Sequence, residues 1–481
     1  MNLLSAPPAP LSFATALVAA AALLVGCPSD DPVDPAGDDA ADGTDGADDG
    51  GGTTVAEPGT TGEQLDPNAP KYYDDILPLF IENCSSCHVE GGLGPFDLED
   101  YETAKGLAEA IVASTESRSM PPFNADNSGE CHTYANARWL EDDEIELVAQ
   151  WLEGGTQEGD PNAVQPDRPE FESLRGENIL ELSTPEGYLP VADQSGPQDD
   201  YQCFLGQLND GDAPIYIQGY EVIPGNPAVT HHMVGFLVNL EGPSAAVGTN
   251  AGLIELLDDA SEQPGWDCFG AAGQGVAVEG TPVTWAPGGG AFNFPEGTGI
   301  RIDPGYALVM QTHYNLVNGT GEDTTKVRLS IADEVEREAV NALFDRFLFT
   351  GFSGGAAEIP PNTESYIYTW NEQIRNFDDR IAQWDKVEIF GALPHMHELG
   401  RRMQVRYLEG GTDASCGMYV DRWDFAWQQA FMYENPVVLN PNDTIEVTCE
   451  WNSMGKDSAT QPGLGTQQEM CLFGIYAAEG S

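Results

Sequence analysis

The chain has 481 residues, 41% of them hydrophobic, and sets 19 Lys and Arg against 79 Asp and Glu, a formal charge of −60. That length and apolar content allow several domains with real cores. The charge makes nucleic acid and anionic membrane surfaces poor partners and implies a heavily hydrated acidic surface.

Residues 11–26 are almost continuously apolar and small, ending in Leu24-Val25-Gly26-Cys27. The run is short for a spanning helix and suits the core of a signal peptide. It resembles a bacterial lipoprotein signal, in which the Cys after Leu-x-Gly is lipidated and becomes the mature N-terminus. Unlike that signal, no Lys or Arg precedes the run; an uncleaved anchor or a misplaced start is the competing reading. The resemblance implies a signal peptide over residues 1–27, a lipid on Cys27, and an exported protein anchored to a bacterial membrane, facing the periplasm or the cell surface. Residues 28–70 are rich in Asp, Gly, Ala and Thr and carry no aromatic or basic residue. Such a segment buries too little apolar surface to offset its conformational entropy and reads as a disordered acidic tether.

Tyr72 to Glu82 reads as a short helix with Ile76, Leu79 and Phe80 on one face. It runs into Cys84-Ser85-Ser86-Cys87-His88. Two thiols at this spacing can form thioethers to both haem vinyl groups while the adjacent imidazole reaches the iron, a c-type haem attachment signature. A redox-active Cys pair and a zinc half-site are the competing readings. Ala104, Leu107, Ala108 and Ile111 mark a second helix, followed by Met120-Pro121-Pro122. The prolines stiffen that loop and present Met120 as an axial thioether, with His132 as its rival. Glu141 to Leu152 reads as a closing helix capped by Gly154-Gly155. Residues 71–160 resemble a class I cytochrome c. The resemblance implies a small all-α domain with one covalent haem c held by Cys84, Cys87, His88 and Met120.

Beyond Pro161 helical periodicity gives way to short β-rich runs, such as Ile215-Tyr216-Ile217 and Ala307 to Met310, separated by Gly, Pro and Asn turns. The pattern predicts β-sandwiches, with enough chain for two. Histidine is used sparingly here. Of seven in the chain, six fall in three groups: His88; His231, His232 and His313; His395 and His397, with only His132 apart. His395 and His397 project from one face of an extended strand, whereas the adjacent His231 and His232 converge only at a bulge or strand end. Imidazole suits copper, zinc, iron and nickel, and a thioether selects Cu(I), so a Met beside two His favours copper.

Four motifs carry a family resemblance: Thr230-His231-His232-Met233, Gln311-Thr312-His313-Tyr314, Pro394-His395-Met396-His397 and Gln468-Glu469-Met470-Cys471. In this order they resemble the copper type II, ascorbate-dependent monooxygenases, the family of peptidylglycine α-hydroxylating and dopamine β-monooxygenase. The resemblance implies two all-β, jelly-roll-like sandwiches over residues 165–335 and 336–481, each with one copper ion. It places an electron-transferring copper on His231, His232 and His313, with Gln311 nearby. It places the catalytic, dioxygen-binding copper on His395, His397 and Met470. It further implies disulfides Cys203–Cys268 and Cys449–Cys471, leaving Cys131 and Cys416 either joined across domains or free. The peptide-hydroxylating member carries an Arg two residues before its His-x-His, where this chain has Leu393; a small neutral or apolar substrate is favoured over a peptide C-terminus. The function implied is hydroxylation of a C–H bond with dioxygen. Electrons come from an external reductant, ascorbate-like or a redox partner, and are relayed through the haem. The alternatives are a non-catalytic copper and haem electron-transfer or sensing lipoprotein, and a zinc hydrolase on His395 and His397. The stretch Arg422 to Trp427 reads as sandwich core, Met233 and Met396 as packing residues, and Arg401-Arg402 as partners of acidic neighbours.

Overall fold

The computed structural model describes residues 66–480 apart from 93, 170–171, 193–197, 245–246, 269–271, 288, 318, 353–356, 412 and 464–466. The signal peptide, Cys27 and the tether up to residue 65 lie outside the described residues.

The first described element is a helical body. Tyr72–Ile76 turns with π geometry into the helix Leu77–Asn83, followed by helices Tyr101–Gly106, Ala108–Glu116 and Asp142–Glu153. Their ends are set locally: Asp100 accepts the Thr103 amide at 2.9 Å, and Glu141 and Glu144 form a reciprocal capping box. Tyr72, Ile76, Phe80, Ala104, Val148 and Trp151 meet in one apolar core. One part of the expected 71–160 domain departs from this body. Phe123, Ala125 and Tyr134 belong instead to the C-terminal core, where they lie against Phe431 and Tyr433. Backbone bridges Ala125↔Val420 and Tyr134↔Tyr433 and the disulfide Cys131–Cys416 fix that segment in place.

The rest is β-sheet, as the Gly- and Pro-punctuated runs predict. One antiparallel sheet holds, in spatial order, Trp266–Asp267, Asp199–Gln207, Tyr306–Asn315, Thr230–Asn239 and Gly280–Trp285. It packs on strands Ile179–Ser183, Lys326–Ala332, Ile215–Ile223 and Thr298–Ile302 through a core that includes Phe204, Met310, Ile217 and Val327. This second layer does not stop at the expected boundary at residue 335. Thr298–Ile302 pairs in parallel with Arg337–Phe344, and the sheet continues through Leu472–Glu479, Val387–His395 and Phe431–Leu439. The C-terminal core closes beneath a four-stranded sheet of Tyr366–Gln373, Thr444–Trp451, Gly400–Glu409 and Asp413–Val420. Thr444–Trp451 buries every second residue, the signature of a strand with one face in a core. The two sandwiches therefore share a continuous layer.

Candidate metal centres

His232 and His313 are register partners on neighbouring strands. The ladder then slips, pairing Tyr314 with Thr230, so His231 is the extra residue of a bulge. That slip turns two adjacent imidazoles toward one point. The Nδ1 atoms of His231 and His313 lie 3.4 Å and 3.3 Å from Nδ1 of His232. Imidazole nitrogens bound at about 2.0–2.1 Å to one trigonal or tetrahedral metal are roughly 3.3–3.6 Å apart, so the spacing fits an ion. Nε2 of His313 faces Oδ1 of Asp199 at 3.0 Å, and Asn315 donates to the same oxygen. If Nε2 carries the proton, Nδ1 keeps its lone pair for a metal. Bonding to His313 holds the Asp199 carboxyl below the usual carboxylate range. Tyr201 stacks on the His313 ring at 4.0 Å. Burial, reinforced by neighbouring imidazoles, pushes His231 down to about 4 and His232 well below its ordinary value, favouring neutral ligands. Beneath the bulge, buried Asp323 accepts from the Thr230 and Tyr314 hydroxyls and the Asn226 amide. Gln311 is buried two residues before His313 and donates to the carbonyl of Cys268, which is bonded to Cys203.

The second pair is built differently. Its strand ends at His395, Met396 is fully buried, and His397 already lies in the following turn. The two rings stand 5.0 Å apart. His395 is in register with Leu472, two residues beyond the buried Met470, and Cys471 between them is bonded to Cys449. Nδ1 of His397 donates to the Gln468 carbonyl at 3.0 Å, freeing Nε2. For His395 the amide of Gln428 decides: its Nε2 donates to the Phe425 carbonyl at 2.9 Å, so Oε1 faces His395 Nδ1 at 2.6 Å and accepts. Burial pushes His395 down to about 3. At the centre sits Glu469, fully buried. It accepts from the amides of His397 and Leu399 and from the Trp451 indole, at 2.9, 2.7 and 2.9 Å. Burial lifts its carboxyl to about 7 against those bonds.

The third site is a cavity of about 250 Å³ between the helical body and the first sandwich. Cys84, Cys87, His88 and Met120 line it, and those two cysteines are the free ones among the described residues. Phe96 stacks on His88 at 4.5 Å, and a Cβ on Gly94 would sit 2.4 Å from His88 Nδ1, so that position needs glycine. Burial raises the Cys84 thiol to about 12, with Cys87 the next cause, and lowers His88. Two free thiols, an imidazole and a thioether around apolar walls suit a covalent haem. Met120 is on the wall and His132 is not; His132 shares a hydrogen bond with the Cys416 carbonyl at 2.9 Å. The far wall includes His231 and Trp427.

Several residues escape the sequence reading. Asp199 is one among 79 acidic residues, and only long-range pairing singles it out. Glu469 stands inside the fourth motif, but its role as a buried acceptor does not show in the sequence. The stretch Arg422 to Trp427 is only partly core. Trp423 is buried and donates to the His397 carbonyl, but Phe425 stands 5.9 Å from His397 and Trp427 5.8 Å from His231, ring to ring. Met233 and Met396 are core residues, and Arg402 pairs with Asp421 and Glu450.

Residues 348–478 match the family model of the copper type II ascorbate-dependent monooxygenase, C-terminal domain. That match supports this family. Human putative DBH-like monooxygenase protein 2 is 26% identical over 44% of this chain and 42% of its own. The mouse DBH-like monooxygenase protein 2 is 26% identical over 58% and 44%, and human dopamine beta-hydroxylase is 24% identical over 65% and 48%. The chain thus spans less than half the length of these relatives. No helix among the described residues is long and apolar enough to cross a membrane.

Proposed function

We propose that this chain is a copper-dependent monooxygenase that hydroxylates a C–H bond of a small organic substrate. The overall change is one substrate, one dioxygen, two electrons and two protons giving one alcohol and one water. The observation that carries the reading is the convergence of three Nδ1 atoms at metal-ligand spacing, those of buried His232 and His313 and of half-buried His231, with His313 backed by a carboxylate. His231, His232 and His313 hold an electron-transferring copper; His395, His397 and Met470 hold the catalytic one. Copper supplies one-electron redox chemistry and dioxygen activation. The protein fixes His313, His395 and His397 through their second nitrogens, burial disfavours the charged form of His231, His232 and His395, and the soft Met470 favours Cu(I). Leu393 lies on the strand face of His395, two residues before it, and makes that approach apolar. Cys84, Cys87, His88 and Met120 hold one covalent haem c, which relays electrons from an ascorbate-like donor or a redox partner. Cys27 anchors the exported protein to a bacterial membrane.

With labelled dioxygen and reductant, the haem- and copper-loaded protein is expected to place one labelled atom in product. His397→Ala and Met470→Ile are expected to abolish reductant-driven oxygen uptake; uptake persisting in both would overturn the assignment of the catalytic copper.

A further inference from the structure

The haem cavity and the first histidine cluster are not separate rooms. They share a wall, made by His231 and Trp427. The Trp427 indole stands 5.8 Å from the His231 ring, centroid to centroid. One residue later, Gln428 bonds His395 of the second cluster at 2.6 Å. Two residues earlier, Phe425 lies against His397 at 5.9 Å. A single 3₁₀ turn, Phe425–Trp427, and the residue after it therefore touch all three sites.

The turn is held firmly. Asp424 caps it, accepting the Ala426 amide at 2.9 Å, and Gln428 returns a bond to the Phe425 carbonyl. From the N-terminal region, Asn124 donates to the carbonyls of Asp424 and Trp427 at 3.2 and 3.1 Å. The segment that carries Asn124 is itself fixed to the C-terminal core by the Ala125↔Val420 bridge and the Cys131–Cys416 bond. A surface loop would have no need of such anchoring; a short rigid connection between redox sites would.

We propose that Phe425–Gln428 is the electron bridge of this protein, an inference that rests on the haem-relay reading above. Trp427 adds its π system to the cavity wall beside His231. The Trp427–Gln428 peptide and the Gln428–His395 hydrogen bond form a bonded link onward to the second cluster. Each passage moves one electron: a ferrous haem becomes ferric and a cupric ion becomes cuprous, no bond forms or breaks, and Trp427 is not itself oxidised. An ascorbate-like one-electron donor returns the haem to ferrous, and two passages serve one turnover.

The test is anaerobic flash reduction of the haem in the fully loaded protein by a photosensitiser. Haem reoxidation is followed by absorbance and cupric copper by electron paramagnetic resonance. Trp427→Leu is expected to slow haem reoxidation by about tenfold or more, and Trp427→Phe, which keeps an aromatic ring, by less. Gln428→Leu is expected to leave haem reoxidation intact and slow loss of the second cupric signal by about tenfold, with Gln428→Glu retaining the acceptor and most of the rate. Haem midpoint potential in both variants and both copper spectra in Trp427→Leu are expected to match the parent protein, separating a broken path from a changed driving force. Gln428→Leu also removes the hydrogen bond to His395, so it is measured at copper saturation with the second cupric spectrum recorded before the flash. Parent-like rates in Trp427→Leu and Gln428→Leu would overturn the bridge while leaving the relay standing. A haem that stays reduced beside cupric copper in the parent protein would overturn the relay itself.

Discussion

The two histidine clusters solve the same problem with different materials. The first is made by ladder geometry: two neighbouring strands in register, one slipped residue, and Asp199 behind His313. The second has only one ligand candidate in a strand, His395; His397 and Met470 sit outside strands. What the ladder does for the first, a buried side chain does for the second. Glu469 draws the backbone of His397 and Leu399 and the Trp451 indole onto one carboxylate. Backbone pairing yields a site that forms wherever the sheet forms. A side-chain hub yields one that can be lost while the sheet survives.

Glu469→Leu should separate the two most sharply. Four N–H donors, the Met470 amide among them, would lose their acceptor, at about 1–3 kcal/mol each, so denaturant unfolding should show a loss of at least about 3 kcal/mol. Metal analysis should find the second copper gone and the first retained; loss of both in proportion would contradict the hub. Replacing Cys449 and Cys471 together by Ala opens a link across 22 residues. It should cost about 3 kcal/mol and weaken the second copper alone. Conversely, Asp199→Asn should lower copper affinity at the first site by about 10–100-fold and leave the second unchanged, read by competition with a chelator. The smallest effects belong to the methionines beside the ligands. Met233→Leu and Met396→Leu should each cost less than about 1.5 kcal/mol and leave both copper spectra unaltered. A spectral change at either would make that Met more than packing.

The same contrast explains what could be read from the chain alone. Ligand candidates were legible because histidine is rare here and grouped, and because Cys-x-x-Cys-His has few other uses. The β texture and the helices at Leu77, Ala108 and Asp142 were legible from local periodicity. The supporting groups were not. Asp199 takes its role only from a side-chain contact with His313 across the ladder, where its own register partner is Asn315, and it looks like an ordinary member of an acidic composition. Glu469 stands inside a motif, but its role as a buried acceptor comes only from the amides folded around it. Trp427 reads as sandwich filling, and Gln428 draws no reading, because nothing local says that their turn crosses from one cluster to the other. The parallel pairing of Thr298–Ile302 with Arg337–Phe344, which fuses the two sandwiches, is likewise a non-local event that no window of sequence reports.

The segment around Cys131 has a consequence for how the protein is made. Its partner Cys416 is synthesised 285 residues later, and Tyr134 must wait longer still for Tyr433. Until then Phe123 and Tyr134 have no core to enter. A truncated chain ending after the fourth helix should therefore expose aromatic surface and be a target for proteases. The helical region is less a detachable module than the first stitch of a seam closed at the far end of translation.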